Sequence, residues 1–230
     1  MKRSEINTIM RDADAFIRGQ GFHLPPFAYW TPDYWAQQGE EAREITERML
    51  GWDITDFGQG DFANLGLFLF TVRNGTLANL KQGKGKVYAE KIMICNERQV
   101  TPLHYHWVKT EDIINRGGGR LVLELYNAAA DGKGLAESDV TVNLDGVWRT
   151  IQAGGKVVLN PGESITLEPY WYHGFWAEGG RVLVGEVSTT NDDLTDNCFY
   201  QPVGRFPTIE EDVPPLYLLV GDYERFYTHL

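Results

Sequence analysis

A mainly β domain, closed as a sandwich or barrel and preceded by a helical extension, is predicted by three observations. Beyond residue 61 the chain breaks into many short runs of strand formers. Gly, Asn-Gly and Asp-Gly pairs punctuate those runs. Helical periodicity, in contrast, is confined to the first fifty or so positions. A length of 230 residues suits one domain of this kind, and no linker, repeat or low-complexity stretch divides it. The chain therefore reads as a single domain 1–230: a helical extension over 1–60, a β-barrel over 61–190, and loops with a packed tail over 191–230.

Ser4 is placed as the cap of the first helix, where Ile6, Ile9, Met10, Ala13, Phe16 and Ile17 fall on one face at i, i+3, i+4, i+7 spacing. Gly19 and Gly21 end it. Pro25 and Pro26 exclude a helix interior for the next segment. Thr31-Pro32, a cap followed by proline at the first helical position, starts a second helix. That helix is expected to reach Leu50, with Gly39 as its weak point and Gly51 as its stop. Strands are predicted at 65–72, 87–94, 121–126, 140–144, 147–151, 157–159, 164–167 and 181–187. Asn74-Gly75 and Asp145-Gly146 supply tight turns, and Gly117, Gly118 and Gly119 are expected to form a tight reversal. The tail is packed by Leu216, Tyr217, Leu218, Tyr223, Phe226 and Tyr227.

A net charge of −11 argues against nucleic acid and against an anionic membrane surface, since both need clustered Lys and Arg. The opening MKRSE has no apolar signal core, and no run approaches the ~20 apolar residues of a membrane span. Cys95 and Cys198 are isolated and lack CxxC pairing, which fits a reduced, cytoplasmic protein. Aromatic residues, 13% of the chain, serve cores, interfaces and sugar sites alike.

The densest chemical signal is His104-Tyr-His106-Trp-Val-Lys-Thr-Glu111, with His173 far downstream. Residues two apart on a strand share a face, so His104 and His106 point together as a chelating pair needs. Glu111 lies five after His106, so a bulge or turn must intervene to bring it onto the same side. Lys109, two before Glu111, can share that face. Three imidazoles and a carboxylate suit Mn2+, Fe2+, Ni2+, Co2+ or Zn2+ and leave two positions open on an octahedral ion. His23 and His229 lie near the ends and are read as structural or surface residues.

These residues resemble the cupin superfamily. Its first motif fits as His104-x-His106-x4-Glu111-x6-Gly118, and its second as Gly155-x5-Pro161. Arg98 stands where the first motif has a leading Gly, and the second motif's final Asn is missing. Residues 1–7 (MKRSEIN), 21–27 (GFHLPPF) and the His104 motif further resemble the bacterial D-lyxose isomerase family, over essentially the whole chain. The resemblance implies a cupin-type double-stranded β-helix (jelly-roll) barrel. It also implies a manganese enzyme, cytoplasmic and homodimeric, interconverting D-lyxose with D-xylulose and D-mannose with D-fructose. By motif position, the resemblance places the metal on His104, His106, Glu111 and His173.

Such a reaction moves a proton between C2 and C1 through a cis-enediol, with two sugar oxygens on the metal. Glu186, a carboxylate inside an apolar strand, is the candidate base; the competing reading is an outward-facing Glu, as for Glu124. Lys109 is the candidate proton relay or oxyanion partner, against a plain surface lysine. Asp193 and Arg205 are candidates for sugar hydroxyls, against solvated loop charges. Trp107, Phe175 and Trp176 flank ligands and are candidate pocket walls, against ordinary core packing. No P-loop or Arg cluster offers a phosphate seat, so a free sugar is expected rather than a sugar phosphate. An Fe(II) cupin dioxygenase, a phosphosugar isomerase and a non-catalytic sugar-binding cupin are the competing classes.

Overall fold

A computed structural model describes residues 1–132, 134–227 and 229. Helix α1 (Arg3–Gly19) buries Ile6, Met10, Ala13 and Ile17, as its spacing predicts. Its cap is Lys2 rather than Ser4. The reason is tertiary: Lys2 bridges Glu210, the Arg3 N–H donates to the Glu210 carbonyl, and Ser4 instead gives its N–H and hydroxyl to Asp212 at 2.9 and 2.6 Å.

The expected helix over 32–50 is broken. Thr31 does cap α2 (Pro32–Trp35), accepting from the Tyr34 N–H. The extended backbone of Gly39 then interrupts the chain before a 3₁₀ turn (Glu40–Ala42) and α3 (Arg43–Glu47). Gly51 opens a strand, β1 (Gly51–Thr55), inside the segment read as helical. It has φ +120°, and the Tyr223 hydroxyl stands 2.5 Å from where a Cβ would be.

The rest follows in order: β2 (Leu67–Arg73), α4 (Leu77–Gln82), β3 (Tyr88–Cys95), β4 (Thr101–Tyr105) and β5 (Glu111–Asn127). Then come β6 (Val140–Leu144), β7 (Val147–Ile151), β8 (Gly155–Leu159), β9 (Ser164–Leu167), β10 (Trp171–Thr189), β11 (Cys198–Phe199) and α5 (Tyr223–Phe226). Pairing runs β1-β2-β3-β10-β5-β9-β6-β7, with β4 also on β10, β11 on β4 and β8 on β5. Every pairing between these strands is antiparallel.

The triglycine is not a reversal. Gly117 to Gly119 lie within β5, where the register against β10 shifts. A Cβ on Gly118 (φ +99°) would sit 2.0 Å from the Arg181 carbonyl oxygen, and one on Gly119 would sit 2.6 Å from that of Gly180. The glycines let the two longest strands bend together, so each serves both halves of the barrel.

Strand parity places the site. On β2, Leu67 and Leu69 face the barrel interior while Phe68 and Phe70 face α1. On β3, Met93 and Cys95 are interior while Ile92 and Ile94 pack with α1. Two residues before Met93 on the interior row comes Lys91; two after Val184 on β10 comes Glu186; two before Ile113 on β5 comes Glu111. Each apolar row thus ends in a charge. Glu124 falls between the interior Leu123 and Leu125 and faces outward, accepting from the Tyr126 hydroxyl at 3.2 Å. Among the described residues no helix is long and apolar enough to cross a membrane.

Candidate active site

The charged ends of these rows meet in a cavity of about 500 Å³, counted with its open mouth. His104 on β4 stands directly across from His173 on β10. His106 follows β4, and the turn over 106–110 returns the chain so that Glu111, first residue of β5, enters from another side. Asp196 shapes that turn. Its carboxylate accepts from the N–H groups of Val108 and Lys109 at 2.8 and 3.0 Å, and its carbonyl faces His106 Nδ1 at 2.8 Å.

Each of the three imidazoles presents Nδ1 to a backbone carbonyl: His104 to Pro102 at 2.8 Å, His106 to Asp196, and His173 to Trp171 at 3.0 Å. A carbonyl only accepts, so these partners place a proton on Nδ1 of each ring and leave Nε2 as the atom free to meet a ligand. The ligand atoms of the three rings lie within 4.8 Å of one another. Glu111 Oε1 is 3.0 Å from His173 Nε2 and 3.4 Å from His106 Nε2.

Burial, with His173 and His106 nearby, holds the His104 imidazole well below its usual range; burial and Lys109 push His106 down. Burial alone would raise the Glu111 carboxyl, but Lys109 and His106 outweigh it and hold it well below the usual range. Among the described residues, His106 Nε2 and Glu111 Oε1 are buried with no hydrogen-bond partner. Three converging imidazoles beside a carboxylate, with two of their ligand atoms unpartnered, fit a divalent cation, which His104, His106, Glu111 and His173 would hold.

From Glu111 a series of buried charges of alternating sign crosses the cavity. Lys109 Nζ lies 2.6 Å from Glu111 Oε2 and 2.9 Å from Glu186 Oε1. Lys91 Nζ is 3.6 Å from the same Glu186 oxygen, 2.8 Å from Asn191 Oδ1 and 3.4 Å from Asp193 Oδ1. Arg205 Nη2 then bridges Asp193 at 3.4 Å and Asp53 at 2.6 Å. Burial works against the charge of Lys109, but Glu111 and Glu186 raise its ammonium above the ordinary range. Burial likewise opposes ionisation of Asp193, yet Lys91 and Arg205 hold it far below the usual carboxylate range. The Ser188 hydroxyl also donates to Glu186 Oε1, at 3.3 Å. All the contacts described for Glu186 therefore fall on Oε1.

Lys109, Glu186, Asp193, Arg205 and Phe175 all line this cavity with the four ligand residues. Trp107 does not: it follows the end of β4, 40% exposed, stacked edge-on to Tyr105 and Tyr170 outside the barrel. Trp176 is likewise absent from the lining, because parity turns it away from the face of Phe175. It lies under Lys156, 4.9 Å from the ring centroid, and donates to Glu178. Sequence reasoning missed Lys91, Thr101, Asn197 and Phe199 in the lining, and Asp196 and Asn191 behind it. Lys91 carried the signal that revealed Glu186, a charge within an apolar strand; the loop residues carried none.

The model of the D-lyxose isomerase family matches residues 1–223. The D-lyxose/D-mannose isomerase of Serratia proteamaculans is 53% identical over 229 residues, covering 98% of this chain and 99% of that protein. That of Escherichia coli O157:H7 is 49% identical over 229 residues, covering 98% and 100%. Among solved structures, the L-ribose isomerase of Cellulomonas parahominis with L-psicose aligns at a TM-score of 0.61 and 16% identity, over 91% of this chain and 98% of that one. The L-ribose isomerase of Geodermatophilus obscurus gives 0.60 and 17%, over the same shares. At such identities these structures speak for the fold, a cupin-like antiparallel barrel. Isomerase relatives at about half identity over nearly the whole chain also answer the dioxygenase and non-catalytic readings of the ligand set. By family model and relatives together, the chain belongs to the D-lyxose isomerase family and is a sugar isomerase.

Proposed function

We propose that the protein interconverts D-lyxose with D-xylulose, and D-mannose with D-fructose, by proton transfer through a cis-enediol, using Mn2+ on His104, His106, Glu111 and His173. The observation that carries this reading is the one-sided pinning of Glu186. Lys109, Ser188 and Lys91 converge on Oε1, which leaves Oε2 to act on substrate. A bound divalent cation would supply Lewis-acid polarisation of the sugar carbonyl.

Glu186 Oε2 takes the proton from C2 of the aldose and returns it to C1 on the same face, while the O2 hydroxyl proton passes to O1 with the Lys109 ammonium as its relay. Lys109 holds the carboxylate from turning away and presents an ammonium to the oxygen that gains charge. Its contact with Asn191 is long, 3.4 Å, so that N–H is the one most readily exchanged for a sugar oxygen. Asp193 and Arg205 meet hydroxyls further along the chain of the sugar.

A free sugar suits the cavity better than a phosphorylated one. Lys91, Lys109 and Arg205 are already matched by Glu111, Glu186, Asp193 and Asp53, so no surplus cation awaits a dianion. We further propose a cytoplasmic homodimer. Cys95 and Cys198 are both free thiols, which suits a reducing compartment, and light scattering on the purified protein reads the dimer.

The test is a panel of free pentoses and hexoses, with phosphorylated forms alongside, assayed in D2O with Mn2+ restored to stripped protein. Turnover of D-lyxose and D-mannose with deuterium on carbon is expected. Turnover confined to sugar phosphates would overturn the substrate assignment, and turnover without label would point to a hydride shift.

A further inference from the structure

We propose that Thr101 is a substrate-binding residue whose hydroxyl takes a hydrogen bond with one hydroxyl of the bound sugar; the inference rests on the sugar-isomerase reading of this cavity. Six buried side-chain polar atoms lack a hydrogen-bond partner among the described residues, and four of them belong to residues lining this one cavity: His106 Nε2, Glu111 Oε1, Arg205 Nη1 and Thr101 Oγ1. Metal ligation absorbs the first two. The third sits on a guanidinium already assigned to the substrate. Thr101 alone is left without a role.

Thr101 is 2% exposed and opens β4, in register opposite Phe175 and three residues before His104. Outside the charged series the lining is largely apolar, with Leu67, Met93, Phe175 and Phe199 among its members. A sugar carries hydroxyls on every side, so one turned toward such a wall needs a partner there. Valine has the same shape as threonine and would fill this position without leaving a buried hydroxyl unpaired. A buried hydroxyl that makes no hydrogen bond among the described residues is explained when a ligand completes it.

Function and stability should then change with opposite signs. Thr101→Val should lower kcat/KM for D-lyxose roughly tenfold, the loss of one uncharged hydrogen bond. Its unfolding temperature should be unchanged or raised, and its metal content unchanged. Thr101→Ser, which keeps the hydroxyl, should recover most of the kcat/KM lost in Thr101→Val. Affinity for D-arabinitol, the reduced form of D-lyxose, should fall by the same factor in Thr101→Val when titrated calorimetrically. Unaltered kcat/KM and polyol affinity in Thr101→Val would overturn the proposal. So would a lowered unfolding temperature, since the hydroxyl would then serve the fold. An inactive wild-type protein would overturn the proposed reaction instead, while the polyol titration would still decide the role of Thr101.

Discussion

Replacing Glu186 by Gln removes the base while keeping its shape. The amide oxygen can occupy the place of Oε1 and still accept from Lys109 at 2.9 Å and Ser188 at 3.3 Å. The amide nitrogen then replaces Oε2, and an amide NH2 donates only and cannot take a proton from carbon. A positioned general base contributes about 10²- to 10⁴-fold, or about 3–5 kcal/mol of barrier. Stability should fall less. Breaking a buried ion pair costs about 3–5 kcal/mol when it strands a charge. Here neither lysine is stranded: Lys109 keeps Glu111 at 2.6 Å, and Lys91 keeps Asn191 at 2.8 Å and Asp193 at 3.4 Å. A loss of about 1–2 kcal/mol is expected on that basis. The assay is ketose formation from D-lyxose, with metal content and urea unfolding measured on the same preparation. Wild-type turnover in metal-loaded Glu186→Gln would refute the assignment of Glu186 as base.

Other consequences reach beyond the cavity. Arg3, fully buried, joins α1 to Asp222 and Glu211 through four hydrogen bonds; Arg3→Met should cost about 3–5 kcal/mol and lower the melting temperature by roughly 10 °C. The Glu211 carboxyl is held below its ordinary value by its hydrogen bond to Arg3. Its stabilisation is therefore complete above the unfolded value of about 4.3 and lost as pH falls through the lower folded value, so the gap between wild type and Arg3→Met should narrow in acid melts. Gly118→Ala should destabilise by about 3 kcal/mol or more in urea titrations, since its Cβ meets the Arg181 carbonyl at 2.0 Å and its φ is +99°. Burial pushes the Cys95 thiol up, so a disulfide-exchange reagent should label half-buried Cys198 in the native protein and reach Cys95 only on unfolding.

Much of the site was legible because strands have period two. His104 and His106 on one face, and the break before Glu111, both follow from counting along the chain, and the turn over 106–110 is that break. Counting failed where the reference face was unknown. Glu124 and Glu186 look alike in sequence, and only the neighbouring core rows show that one faces out and the other in. Trp176 sits beside the lining residue Phe175, yet adjacency on a strand means the opposite face, and Trp107 lies in the turn beyond β4, packed on Tyr105 and Tyr170.

Along the chain the triglycine has the look of a local turn, because its partner, the Gly179 and Gly180 bend of β10, lies about sixty residues away. The helix over 32–50 carried good spacing, but Gly39 and the pull of Gly51 into the sheet outweighed propensity. The N-cap moved from Ser4 because the tail near Glu210 pairs with Lys2, a contact no local pattern encodes. Thr101 was invisible for a different reason: an unpartnered hydroxyl exists only relative to a three-dimensional neighbourhood.

In the proposed reaction His104, His106, Glu111 and His173 hold the ion on which isomerisation depends. The direct measurement is a titration of chelator-stripped protein with Mn2+, following bound metal and D-lyxose turnover together. Turnover should be absent without metal and should rise to a plateau at one ion per chain, with the break lost in His173→Ala. Full turnover by the stripped protein, or an unchanged break in His173→Ala, would contradict it.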